Sequence, residues 1–101
     1  ASKVNDLIIE NSLAKIIADG AIEKYRYFTL TGPTRLVVDV YGVNPTFKKR
    51  SFSASNGFKQ VRIGAYDNKT RFVFDSSKVQ LKDFVIDTTD SKLLVDWSEG
   101  G

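Results

Sequence analysis

The chain has 101 residues, 42% hydrophobic and 27% charged, which is room for one globular domain. It holds no Cys, no His and no Met, so thiol nucleophiles, disulfides, imidazole bases and Cys/His zinc sites are excluded, and a binding module comes before an enzyme. The net charge of +3 is too mild to imply nucleic acid by itself, and no apolar run approaches the roughly 20 residues of a membrane span.

Ten Val, seven Ile, seven Thr and twelve aromatic residues favour pleated, half-buried strands. The opening Ala1-Ser2-Lys3-Val4 lacks the apolar region of a signal peptide. Without an initial Met the chain reads as a mature or excised domain, and zero Cys is compatible with an oxidising compartment. In chain order, apolar runs at 6–10, 13–18, 25–31 and 35–42 predict four strands. Asn11-Ser12, Asp19-Gly20 and Thr31-Gly32-Pro33 separate them, residues suited to turns. A helical pattern fits only weakly around Leu13–Lys24, where Gly20 interrupts it.

The segment 43–57 shows no obvious strand. Its Phe47-Lys48-Lys49-Arg50-Ser51-Phe52 run can in principle contact phosphates and stack bases. A solvated crossover between sheets, anchored by the two Phe, is the favoured reading, so no nucleic-acid partner is expected. Strands resume at 58–65, 70–76, 83–87 and 92–97, separated at Tyr66-Asp67-Asn68-Lys69 and Thr88-Thr89-Asp90. Eight strands in hairpins predict a two-layer, mainly antiparallel sandwich. Residues 1–97 form its single domain, and Ser98-Glu99-Gly100-Gly101 reads as the start of a linker.

Alternation assigns the faces. Leu36, Val38 and Val40 form one core-facing set, with Phe72 and Phe74 in the partner segment and Val61, Ile63 and Ala65 in a third. Arg35, Val37, Asp39 and Tyr41 then face outward, as do Arg62, Gly64 and Tyr66, and Arg71, Val73 and Asp75. Trp97 reads as a core or edge anchor. Acid pairs such as Asp87/Asp90 and Asp6/Glu10 have the residue types of a glycosidase, but they read as turn residues and solvated strand faces.

The strongest signal is internal. Thr34-Arg35-Leu36-Val37-Val38-Asp39 recurs 36 residues later as Thr70-Arg71-Phe72-Val73-Phe74-Asp75, with four of six positions identical. Arg26 precedes Arg35 by nine residues, and Arg62 precedes Arg71 by nine. A weaker echo links Leu7–Asp19 with Phe84–Asp96. The chain therefore reads as two related halves of two hairpins each, giving one four-stranded sheet apiece or an exchanged version of that. Arg and Asp four apart on a strand sit about 13 Å apart, too far to pair within it, but they can pair across strands.

Those residues resemble a known family. Pro33-Thr34-Arg35-Leu36-Val37-Val38-Asp39-Val40-Tyr41-Gly42 is similar to the first motif of the AMIN domain. Val61-Arg62-Ile63-Gly64 with Thr70-Arg71-Phe72-Val73-Phe74-Asp75 resembles its second. The resemblance implies an all-β sandwich of two similar, roughly four-stranded sheets with internal pseudo-symmetry. It also implies a non-catalytic periplasmic module of the bacterial envelope that binds peptidoglycan and localises a larger protein, a type IV pilus secretin or a cell-wall amidase. Carried over by residue, its motif positions are Arg35, Val37, Asp39, Arg62, Gly64, Arg71, Val73 and Asp75. Phe74 departs from the pattern, being bulkier than the usual aliphatic residue.

Peptidoglycan stems carry carboxylates, to which Arg offers planar bidentate donors. Tyr41 and Tyr66 can pack against sugar rings, and two similar motif faces would add avidity on a polymer. No cofactor and no metal is expected. A docking module for other envelope proteins or for neighbouring domains is the alternative.

Overall fold

The alternating apolar runs become eight of the ten paired strands in the computed structural model, which describes residues 2–98. The ten are β1 (Lys3–Glu10), β2 (Leu13–Ala18), β3 (Tyr25–Leu30), β4 (Arg35–Tyr41) and β5 (Asn44–Pro45), then β6 (Ser51–Ser53), β7 (Phe58–Ala65), β8 (Lys69–Ser76), β9 (Val85–Thr89) and β10 (Lys92–Asp96). No helix occurs among the described residues. The predicted linker start lies, beyond Ser98, outside the described residues.

The strands form two sheets, ordered β5-β1-β2-β10-β9 and β3-β4-β8-β7-β6. All pairings are antiparallel except the two-residue parallel contact of β5 with β1. The exchanged version of the two-half expectation is the one adopted. The outer hairpins β1–β2 and β9–β10 join in the first sheet, and the repeated hairpins β3–β4 and β7–β8 join in the second. Asn11, Gly32 and Asp90 take positive φ (52°, 67° and 52°) at three of the predicted turns, the conformation those residue types tolerate.

Each sheet has five strands where about four were expected, because β5 and β6 lie inside 43–57. Strands of two and three residues, one holding Pro45, carry no alternation to read. They exist through distant partners: β5 on Lys3 and Val4 of β1, β6 on Gln60, Val61 and Arg62 of β7. The segment does cross between the sheets, as expected, and Phe47 and Phe52 meet edge-to-face at 6.0 Å against the core.

The core lies between the sheets. Val4, Leu7, Ile16, Leu93 and Val95 come from the first sheet, and Leu36, Val38, Val40, Val61, Phe72 and Phe74 from the second. Trp97 is fully buried after β10 and packs edge-to-face on Phe58 (5.0 Å) and Phe74 (6.0 Å). Its indole N–H donates to the Ser55 carbonyl at 3.0 Å, so one ring both fills the core and ties the sheets together. Phe74, the departure from the family pattern, completes this aromatic cluster.

Two face assignments need correction. Ala65 is exposed, unlike Val61 and Ile63, because it makes the last pair before the turn, where β7 runs out from the core. Val37, Asp39 and Asp75 point away from the core but are buried, at 2%, 1% and 5% exposure. β4 and β8 are central strands, and larger side chains on flanking strands cover their short outward ones.

Candidate functional site

The outer face of the second sheet is set by strand register. One row across it runs Leu30, Arg35, Asp75 and Gln60, and the next runs Phe28, Val37, Val73 and Arg62. A third runs Arg26, Asp39, Arg71 and Gly64, with Tyr41 and Lys69 paired beyond it. Tyr66 follows directly, its N–H donating to the Lys69 carbonyl at 2.9 Å. All ten sequence-predicted residues, Arg35, Val37, Asp39, Tyr41, Arg62, Gly64, Tyr66, Arg71, Val73 and Asp75, therefore lie on one side of one sheet. The two motifs make a single composite surface, not the two separate faces expected, because the repeated hairpins pair with each other.

The two carboxylates organise this surface. Arg71 donates twice to Asp39, from Nε at 2.8 Å and Nη2 at 3.0 Å, and Lys69 adds a third bond at 3.2 Å. Arg62 grips Asp75 in the same fork, at 2.7 and 2.9 Å, and Gln60 donates at 2.9 Å. Burial alone pushes the Asp39 carboxyl up, but the bonds and charges of Arg71 and Lys69 outweigh it and hold the group below the ordinary carboxylate range. Arg62 holds Asp75 down against the opposing effect of burial, with help from Gln60. Both guanidiniums are pushed up by the same bonds. The result is two ionised, nearly enclosed carboxylates under forked cations, a rigid arrangement.

Aromatic rings fill the spaces between the cations. The guanidiniums of Arg26 and Arg71 lie 5.6 and 5.7 Å from the Phe28 ring centre. Lys24 and Lys69 approach Tyr41 at 5.0 and 5.6 Å, while Lys69 and Arg71 approach Tyr66 at 5.5 Å each. These contacts are within cation–π range. Gly64 leaves room here for the Tyr66 ring, which folds over it while staying 48% exposed: a Cβ would come within 3.1 Å of the ring, which would have to give by a few tenths of an ångström. The motif's Thr residues act elsewhere. Buried Thr70 donates to the Val43 carbonyl at 2.8 Å, and Thr34 to that of Val79 at 2.6 Å, each pinning a connection to the sheet.

Sequence reasoning missed the share of the face that Lys24, just before β3, and Arg26 and Phe28 of β3 contribute. The available signal was that Arg26 and Arg62 each stand nine residues before a motif arginine. The face itself is shallow; a cavity of about 230 Å³ lies at its Arg62–Asp75 end, beside Pro33 and Thr34. A larger open cleft of about 960 Å³ sits at the Trp97 end of the sandwich, between residues 77–85 and the turns at Ser12 and Asn56. None of the motif residues lines it. No cluster of three metal-ligating side chains occurs among the described residues, and no described helix is long and apolar enough to cross a membrane.

Comparison with known proteins places this surface in context. A family model described as AMIN domain matches residues 14–97, which includes every residue of the composite face. No match is found among curated proteins or among solved structures.

Proposed function

The chain belongs to the AMIN domain family, whose members are periplasmic targeting modules of amidases and secretins, and on that premise we propose that it binds peptidoglycan through the outer face of its second sheet. The binding localises a larger periplasmic envelope protein, a type IV pilus secretin or an N-acetylmuramoyl-alanine amidase. The domain itself carries no catalysis in this reading.

The convergence of both motifs on one face carries the proposal. Four Arg and Lys69 surround two enclosed carboxylates, with Phe28, Tyr41 and Tyr66 interleaved. Such a surface offers forked donors to stem-peptide carboxylates and ring faces to sugars. Its shallowness suits an extended polymer better than a small molecule, which needs an enclosing pocket.

Co-sedimentation with purified wall sacculi tests the reading. Binding at low salt, lost when Tyr66→Ala is combined with Arg35→Ala, is the expected result. A chain that stays in the supernatant at every salt concentration removes the proposal. Recovery of an envelope protein that sacculi do not displace would instead favour a docking role within a secretin, pilus or divisome assembly.

A further inference from the structure

The composite face has four arginines but only two carboxylates, and the repeat does not share them symmetrically. Asp39 has two arginines directly opposite it, Arg26 on β3 and Arg71 on β8. Asp75 has Arg35 directly opposite on β4, while Arg62 approaches diagonally from β7. Asp39 is held by Arg71 and Asp75 by Arg62, each through a bidentate fork. Arg26 and Arg35 make no ion pair with a described residue. Arg35 donates only to the carbonyl of Pro33, and Arg26 lies over Phe28.

The two hairpins also differ in register. The repeated strands are 36 residues apart, yet the turn centres, Gly32-Pro33 and Asp67-Asn68, are only 35 apart. The second hairpin is consequently slid by two residues, so Arg62, which would otherwise stand directly opposite Asp75 as Arg26 stands opposite Asp39, pairs with Val73 and meets Asp75 from the diagonal. From there Arg62 forks onto Asp75, while Arg35, directly opposite, donates to the Pro33 carbonyl. Two cations are left over at opposite ends of the β3–β4 side, about 14 Å apart between Cα atoms by strand rise and spacing. Phe28 and Val37, paired in the row between them, form an apolar step.

From this pairing we infer a division of labour: Arg26 and Arg35 take the carboxylates of stem peptides, whereas Arg62 and Arg71 are positioning residues that hold the face in shape. The inference rests on the peptidoglycan reading above and names its subsite. A guanidinium already forked onto an enclosed carboxylate must break two charge-assisted bonds to serve a ligand, and one without such a partner breaks none. The ligand segment is therefore one that carries two carboxylates about 10–15 Å apart across an apolar stretch.

Two measurements decide it. In the first, Arg26→Gln/Arg35→Gln is expected to bind sacculi about tenfold more weakly with an unchanged thermal midpoint. The unaltered chain should show a similar loss on sacculi whose carboxyls have been amidated. Binding within twofold of the original in either arm overturns the assignment while leaving the wall reading standing. In the second, poly-γ-glutamate is titrated into the unaltered protein and arginine Nε–H resonances are followed. Shifts at Arg26 and Arg35 support the assignment, and larger shifts at Arg62 and Arg71, or none, overturn it. This probe contains no wall, so failure to bind native sacculi together with shifts at Arg26 and Arg35 would sink only the peptidoglycan reading.

Discussion

Asp39 is 1% exposed and Arg71, which holds it, is 30% exposed, so their bond lies between the surface and buried regimes. Exposed pairs contribute about 0–1 kcal/mol, while stranding one partner of a fully buried pair costs about 3–5 kcal/mol. Arg71→Gln leaves Asp39 with Lys69 alone, and about 2 kcal/mol of destabilisation is expected, between those limits. For a domain of this size that lowers the melting midpoint by roughly 10 °C. Arg26→Gln removes an exposed side chain with no carboxylate partner among the described residues and should stay within about 0.5 kcal/mol. Thermal denaturation of the two variants side by side checks the contrast; equal midpoints would contradict the roles given to these arginines.

At the scale of strands and hairpins, much is legible in the sequence alone. The period-2 runs located eight of the ten strands, most of which bury an apolar face that alternation reveals, although β3 and β9 hold no fully buried residue. The Thr34–Asp39 and Thr70–Asp75 repeat located the hairpins that carry the candidate site. It did not show that these hairpins pair with each other, because inter-hairpin pairing is a long-range choice that leaves no local mark. The burial of Val37, Asp39 and Asp75 was hidden for a related reason: alternation tells which way a side chain points, not what lies over it. The role of Phe74 also needed its neighbours. Placed between Phe58 at 5.7 Å and Trp97 at 6.0 Å, it joins the second sheet to the residue that follows β10. Phe74→Leu moves the sequence towards the family's usual aliphatic residue, and conformity alone predicts no loss. The aromatic cluster predicts the opposite, a cost of about 1–2 kcal/mol from lost volume and ring contacts. Urea unfolding of the variant decides between the two.

The whole molecule is polar across its thickness. The outer face of the second sheet presents Arg26, Arg35, Arg62, Lys69 and Arg71 against Asp39 and Asp75. The outer face of the first presents Asp6, Glu10, Asp87 and Asp96 against Lys3, Lys15 and Lys92. An anionic polymer is thus attracted to one side of the sandwich, within a screening length of about 8–10 Å at moderate salt. The same carboxylates link the site to global stability. Asp39 and Asp75 have folded-state pKa values below those of the unfolded chain, so folding is favoured while they are ionised. That contribution is complete above the unfolded carboxylate pKa of about 4 and is lost as pH falls through the lower folded values. The urea midpoint should therefore hold between pH 7 and pH 5 and drop by pH 3. Asp39→Asn/Asp75→Asn should lower the midpoint at pH 7, because Arg71 and Arg62 lose their anions, and should flatten the acid limb. An acid limb as steep in the double variant as in the parent would place the acid sensitivity elsewhere, with exposed Asp19 the next group to test. Asp19 is held down to about 2 by bonds from the Ser2 and Lys3 backbone and the Ser2 hydroxyl. Its replacement by Asn would then be the variant that flattens the limb.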